Sequence, residues 1–342
     1  MTQITLVLPF ALPPPELAPD LVRALEIPAL ASLITRTSSF ESVPFDGPLR
    51  MLPHELWLAR ALSLDASDRP ALAAQAMLGY GLDPADGSWF IVHPAHIEIA
   101  RSHMLMSDVR ALGLEERHSR MLFEVARPYF DEAGKTLLYG DAQTWFMRAD
   151  GWAGLDTSTP DAAAGMNLSD WLPRGEHSIE YRKLQNEVQM LWYQHTVNAE
   201  REAAGLGAIN AFWPWGCASA LETIPASAPT LATSDAPGWL SSLAQLRSPA
   251  MGELLAPSHN GAIYVCDTAT QAAIGADWAA WLARMKRLDE KLFAPLLSAV
   301  HDGRVKQLRL VLSHRDRHIE LTTTKMAQHM FWRRPTLDRL LP

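Results

Sequence analysis

The residues Ile4-Thr5-Leu6-Val7-Leu8 are almost wholly apolar or β-branched and run straight into Pro9. So short and apolar a segment reads as a strand covered on both faces, near the middle of a sheet, because a half-solvated strand would alternate with polar residues. The pattern returns at Gly261 to Asp267 and at Leu308 to Ser313, with Ile319 to Thr323 placed to pair with the latter. Helical spacing fills the intervals: Leu21, Leu25, Leu30, Leu33 and Ile34 after the first strand, Pro53 to Leu62, and a long helix over Trp278 to Val300. Strands alternating with helices in both terminal thirds predict an open, mostly parallel α/β sheet.

The middle of the chain has a different rhythm. After the turn cluster Asp83-Pro84-Ala85-Asp86-Gly87-Ser88 the period becomes two, through Phe90, Val92, Ile97 and Ile99. A helix is predicted from Glu115 to Phe130, then a hairpin of Lys135 to Leu138 and Thr144 to Met147, a loop over 150–177, and a helical region from Arg182 to Ala203 broken near His195. This places an α+β insertion at 83–204 within a core of 1–82 and 205–342, the core including a strand from Ala208 to Trp213.

With 342 residues, 48% of them hydrophobic, the chain can bury such a core, and 20% charged residues argue against extended disorder. Its net charge of -8 includes no basic run, which argues against nucleic acid as a partner. Cys217 and Cys266 are too few for a disulfide framework and read as two buried thiols. The start lacks a basic segment followed by an apolar stretch, and no apolar run reaches the roughly 20 residues of a membrane span. The expectation is a cytoplasmic protein with no membrane partner.

Two stretches carry a resemblance: Trp89 to Trp145, beginning WFIVHPAHIEIARSH, and Leu191 to Gly216, LWYQHTVNAEREAAGLGAINAFWPWG. In order and spacing they resemble the archaeal-type cofactor-independent phosphoglycerate mutases, and more closely a phosphoglycerate mutase-like group of regulatory proteins of the RpfE type. The resemblance runs from LVLPFALPP to FWRRP and implies a core like that of the alkaline phosphatase superfamily. It also implies phosphoryl transfer through a covalent Ser or Thr, with two divalent metals held by Asp and His at strand ends. Here the pattern fails at most positions. Pro9-Phe10 stands where the family has Asp-Gly after the first strand. The segments Pro44-Phe45-Asp46-Gly47-Pro48 and Leu52-Pro53-His54-Glu55 offer no Ser in a Gly turn. Asp267-Thr268-Ala269-Thr270 lacks the His of the next motif, and the terminal His-x-Asp-Pro is absent.

The candidate metal residues are then Asp267, His314, Asp316 and His318, interleaved with Arg315 and Arg317, whose charge repels a cation and attracts an anion. No metal cofactor is expected; manganese or zinc would belong to the alternative, a metal-dependent phosphotransferase or phosphohydrolase with rebuilt ligands. His93, His96 and His103 with Arg101 form a second cluster, but alternation on a strand separates the first two. His195 and Asn198 share a helical face, Arg201 lies near it, and with Asn210 on the following strand they could hold a phosphate or carboxylate. The competing expectation is that Asn198 and Arg201 brace the fold. The whole reads as a non-catalytic relative of the mutases that binds a phosphorylated or carboxylate small molecule, or a regulatory protein partner.

Overall fold

The computed structural model describes all residues except Met1, 46–49, 67–68, 100–103 and Leu221. Its principal strands are β1 (Thr2–Leu8), β2 (Ser39–Pro44), β3 (Ser88–Ala95), β4 (Thr136–Tyr139), β5 (Trp145–Arg148), β6 (Ala211–Ser219), β7 (Leu231–Ser234), β8 (Leu246–Arg247), β9 (Ala262–Cys266), β10 (Val305–Ser313) and β11 (Arg317–Thr323). Seven of them form one sheet in the order β8-β7-β9-β1-β10-β11-β2. The pairings from β8 to β10 are parallel, and β11 and β2 add antiparallel pairs at one edge. The fold is therefore α/β with an open, mostly parallel sheet, and β1 lies at its centre as its unbroken apolar run demands.

Period-two alternation explains the layers. Leu6, Leu8, Tyr264, Cys266, Leu310 and Leu312 point to one face, which is covered by α1 (Pro28–Thr35) and by a helical run along the opposite end of the chain. Val7, Val265 and Val311 point to the other, where they meet Trp213, Trp215, Trp89 and Ile91 of a second sheet. This antiparallel sheet, ordered β6-β3-β5-β4, turns its far face, with Phe90, Val92 and Phe212, toward α3 (Glu116–Glu132), α4 (Ser178–Tyr193) and α5 (Thr196–Ala203). A further helix, α2 (Pro53–Ala61), follows β2 and brings His54 and Glu55 inward.

The strand expected in the core at Ala208 to Trp213 belongs instead to the inserted sheet, as β6. It pairs with β3 from Ala211↔Ala95 to Trp215↔Ile91, in the antiparallel sheet. Gly216, at φ 65°, takes the left-handed conformation at the irregularity that follows, a geometry costly for other residues. The strand β2 has no counterpart in the apolar pattern because it is an exposed edge.

The late helical run comprises α6 (Trp278–Leu288), a π turn (Asp289–Phe293) and α7 (Ala294–His301). Pro295 has no N–H to give the carbonyl one turn back, and the wider π turn directly before it absorbs the mismatch. The π turn also carries Asp289, whose carboxylate accepts from Ala29 N (3.1 Å) and Leu30 N (2.8 Å). Helix α1 has no side-chain cap of its own, so Asp289 caps it from 260 residues away. We expect Asp289→Ala to lower stability in urea unfolding by about 1 kcal/mol, and Asp289→Asn, which keeps an acceptor, to lower it less.

Candidate functional site

The carboxyl ends of β1, β9 and β10 open toward the inserted layer, the position at which open α/β sheets place ligands. Phe10 follows β1, Asp267 follows β9, and Ser313 and His314 close β10. Phe10 is buried at φ 53°, a conformation unfavourable for a bulky residue. Its ring meets His54 and His314 edge-on at 6.1 and 5.9 Å, and its carbonyl accepts from Trp281 Nε1 at 2.9 Å. An aromatic plug thus fills the floor at the end of the central strand.

Arg315 lies over the Phe10 ring, 5.4 Å from its centre, and the helical turn Val109–Leu112 contributes Arg110 to the same strand ends. The Arg110 guanidinium donates twice to Asp161, at 2.7 and 2.6 Å, and once to Asp108 at 3.0 Å. Asp267 Oδ2 completes the ring, 3.2 Å from Nε and 3.1 Å from Nη2. Burial opposes the Arg110 charge, but Asp161 and Asp267 outweigh it and raise its pKa above the ordinary value. Burial likewise opposes the Asp161 charge, and Arg110 overcomes it and holds that carboxyl below its usual range. For Asp267 burial prevails and pushes it up to about 6, while Thr270 donates its hydroxyl to the second oxygen.

Arg315 fastens the segment that carries Asp161, donating to the carbonyls of Asp161, Ala162 and Ala164 at 3.1, 2.9 and 2.7 Å. Beside it His54 Nδ1 lies 2.9 Å from Ser313 Oγ, and burial drives the imidazole down to about 4, so it is neutral at physiological pH. Burial and Asp161 push Glu55 up to about 8. One Glu55 oxygen accepts from Leu52 N (2.6 Å) and Thr159 Oγ1 (2.7 Å); the other is buried with no partner among the described residues. His54, Glu55, Asp161 and Asp267 border a void of about 20 Å³, room for one water.

A divalent pair does not fit these residues. Asp267, His314, Asp316 and His318 do not converge: Asp267 faces Arg110, His318 Nε2 lies 3.3 Å from Glu320 on its own strand, and Asp316 is exposed beside His314. Among the described residues no group of three His, Cys, Asp or Glu side chains is arranged to hold a metal ion. The Arg110 guanidinium already lies among Asp108, Asp161 and Asp267.

The anion site expected at His195, Asn198, Arg201 and Asn210 is corrected by the geometry. Asn198 bonds Trp192 O, Ile209 O and Ile209 N; Arg201, fully buried, donates to Gly207, Gly113 and Leu112 carbonyls. Asn210 pairs with both backbone groups of Ile97, and His195 caps α5 through Val197 N. These polar groups are occupied by main chain, so they brace the insertion. His93 and His96 bond separate carbonyls, Gln143 O and Ala208 O. Arg101, His103, Asp46 and Gly47 lie outside the described residues. Cys217 is half-buried rather than buried, and no disulfide joins it to Cys266. Arg110 and Asp161 carry no sequence signal of their own, since one sits in a short turn and the other in a Gly- and Pro-rich stretch.

Fold and site together define an α/β protein whose parallel-strand ends are closed by a buried guanidinium–carboxylate cluster. Among solved structures it is similar to the PH0037 protein from Pyrococcus horikoshii, at 12% identity over 94% of this chain and 87% of that one, with a TM-score of 0.53. That likeness shows a shared fold alone. A cofactor-independent phosphoglycerate mutase from Thermoplasma acidophilum DSM 1728 also aligns, at 16% identity over 95% and 90% of the two chains, with a TM-score of 0.43. No protein-family model matches the chain, and neither does any curated protein. No helix among the described residues is long and apolar enough to cross a membrane.

Proposed function

We propose that this chain is a non-catalytic, phosphoglycerate mutase-like protein that works in regulation by binding a small anion or a protein. One observation carries the reading: Arg110 sits among Asp108, Asp161 and Asp267 at the strand ends where the resemblance would put metals. A cation bound there would have to displace a guanidinium that three carboxylates hold. The Phe10 plug supports the same reading, because it fills the floor with a ring where the family would need a metal-binding carboxylate.

Elemental analysis of the purified protein, with turnover of 4-nitrophenyl phosphate in excess manganese, is the test. The expected result is divalent metal well below one ion per chain and no turnover above a heat-denatured control. A bound pair of divalent ions, or saturable turnover, would establish the rebuilt metal-dependent phosphotransferase or phosphohydrolase instead.

A further inference from the structure

Next to the Arg110 cluster, the carboxyl ends of β7 and β9 and one side of α6 enclose a cleft of about 720 Å³. That volume lies within the range of small-molecule sites. One wall is cationic. Arg284, Arg287 and Lys291 follow one another at intervals of three and four residues, so they share a helical side, and all three line the cleft. Among the described residues Arg284 donates to two neutral oxygens, Thr268 O at 3.0 Å and Gln271 Oε1 at 3.1 Å. Arg287 and Lys291 are exposed and, among the described residues, have no ion-pair partner. The carboxylates that also border the cleft are otherwise engaged, Asp267 with Arg110 and Asp235 as acceptor from the Thr268 hydroxyl at 2.5 Å. A hydroxyl donor leaves the Asp235 charge in place, but four cations (Arg110, Arg284, Arg287 and Lys291) line the cleft against two carboxylates (Asp235 and Asp267), so the lining keeps a net positive charge.

Below that wall the lining turns apolar. Leu254, Leu288 and Leu292 are nearly buried yet border the cleft. Leu288 and Leu292 come from the same helical run as the cations, and Lys291 and Leu292 lie inside the π turn, which widens the helix there.

We infer that this cleft binds a small organic anion, with a phosphate- or phosphonate-type head on Arg284, Arg287 and Lys291 and an apolar arm against Leu254, Leu288 and Leu292. The inference gives a place and a ligand class to the small-anion function proposed above and rests on that reading. Three cations suit a dianionic head, since hydrogen bonds to charged groups are the stronger kind. The apolar floor discriminates against an anion with no arm, because burying apolar surface is favourable.

Calorimetric titration of the full-length protein with phenylphosphonate, which cannot be hydrolysed, tests it. Saturable binding is expected, with inorganic phosphate weaker by roughly tenfold or more. The double variant Arg287→Gln/Lys291→Gln alters only exposed side chains, so its melting temperature should match wild type while its phenylphosphonate affinity falls by roughly tenfold or more. Absence of saturable binding to wild type, equal affinity in the folded double variant, or equal affinity for inorganic phosphate would each overturn the inference. The outcome is separable from the proposed function. Turnover of a phosphomonoester would refute the non-catalytic reading and leave the phenylphosphonate result standing.

Discussion

Arg110→Ala is expected to destabilise the protein by about 3–5 kcal/mol at pH 7, the size seen when one partner of a buried ion pair is removed. The side chain is largely buried and is paired with Asp108, Asp161 and Asp267. Without it, three carboxyls remain in a desolvated space, and Arg315, the other cation acting on Asp161, is engaged with carbonyls. The variant can relieve the repulsion only by taking up protons, so its deficit should shrink on acidification. Urea unfolding at pH 7 and at pH 5 measures both effects. A loss under about 1 kcal/mol at pH 7 would mean that the cluster does not hold insertion and core together, as would a deficit that does not change with pH. Arg110→Lys keeps the charge but cannot make the paired contact with Asp161, and should fall between the two.

The second large effect concerns Glu55. Its carboxyl is raised to about 8 in the folded protein, against an ordinary value of 4.5. Between those limits the folded state holds a proton that the unfolded state lacks, so stability must fall as pH rises through the window. His54 acts in the opposite sense. It is driven down to about 4 from 6.5, so the unfolded state binds the extra proton and stability falls as pH drops through that range. Asp267, raised to about 6, adds to the Glu55 trend only below pH 6. From pH 6.5 to 8 Glu55 therefore acts alone among the three. At about 1.4 kcal/mol per unit, wild type should lose about 2 kcal/mol across that interval. Glu55→Gln keeps an acceptor for Leu52 N and Thr159 and carries no proton to lose. Its stability should be nearly flat from pH 6.5 to 8 and exceed wild type at the alkaline end. A variant with the wild-type slope would place the proton on another group.

Local pattern alone determined a good deal of this molecule. The central place of Ile4 to Leu8 follows from its unbroken apolar run, because only a strand covered on both faces leaves no position for a polar side chain. The hairpin of Lys135 to Met147, the helical region broken near His195 and the late helix to Val300 are equally local, set by period and by turn residues.

Tertiary structure decided the rest. Strand β6 reads alike for either sheet, and only its pairing partner β3 assigns it to the insertion. Arg201 and Asn198 look the same on a helix whether they face a cleft or the main chain. Carbonyls of Gly207, Gly113 and Leu112, one near in sequence and two far, chose between those uses. The Arg110 cluster was the least legible feature of all. Asp267 lies 157 residues from Arg110 and Asp161 lies 51 away, and no spacing rule links a helical turn, a loop segment and a strand end. What joins them is the electrostatics of burial: carboxylates that the fold desolvates must find a cation, and only the folded chain shows which one is within reach.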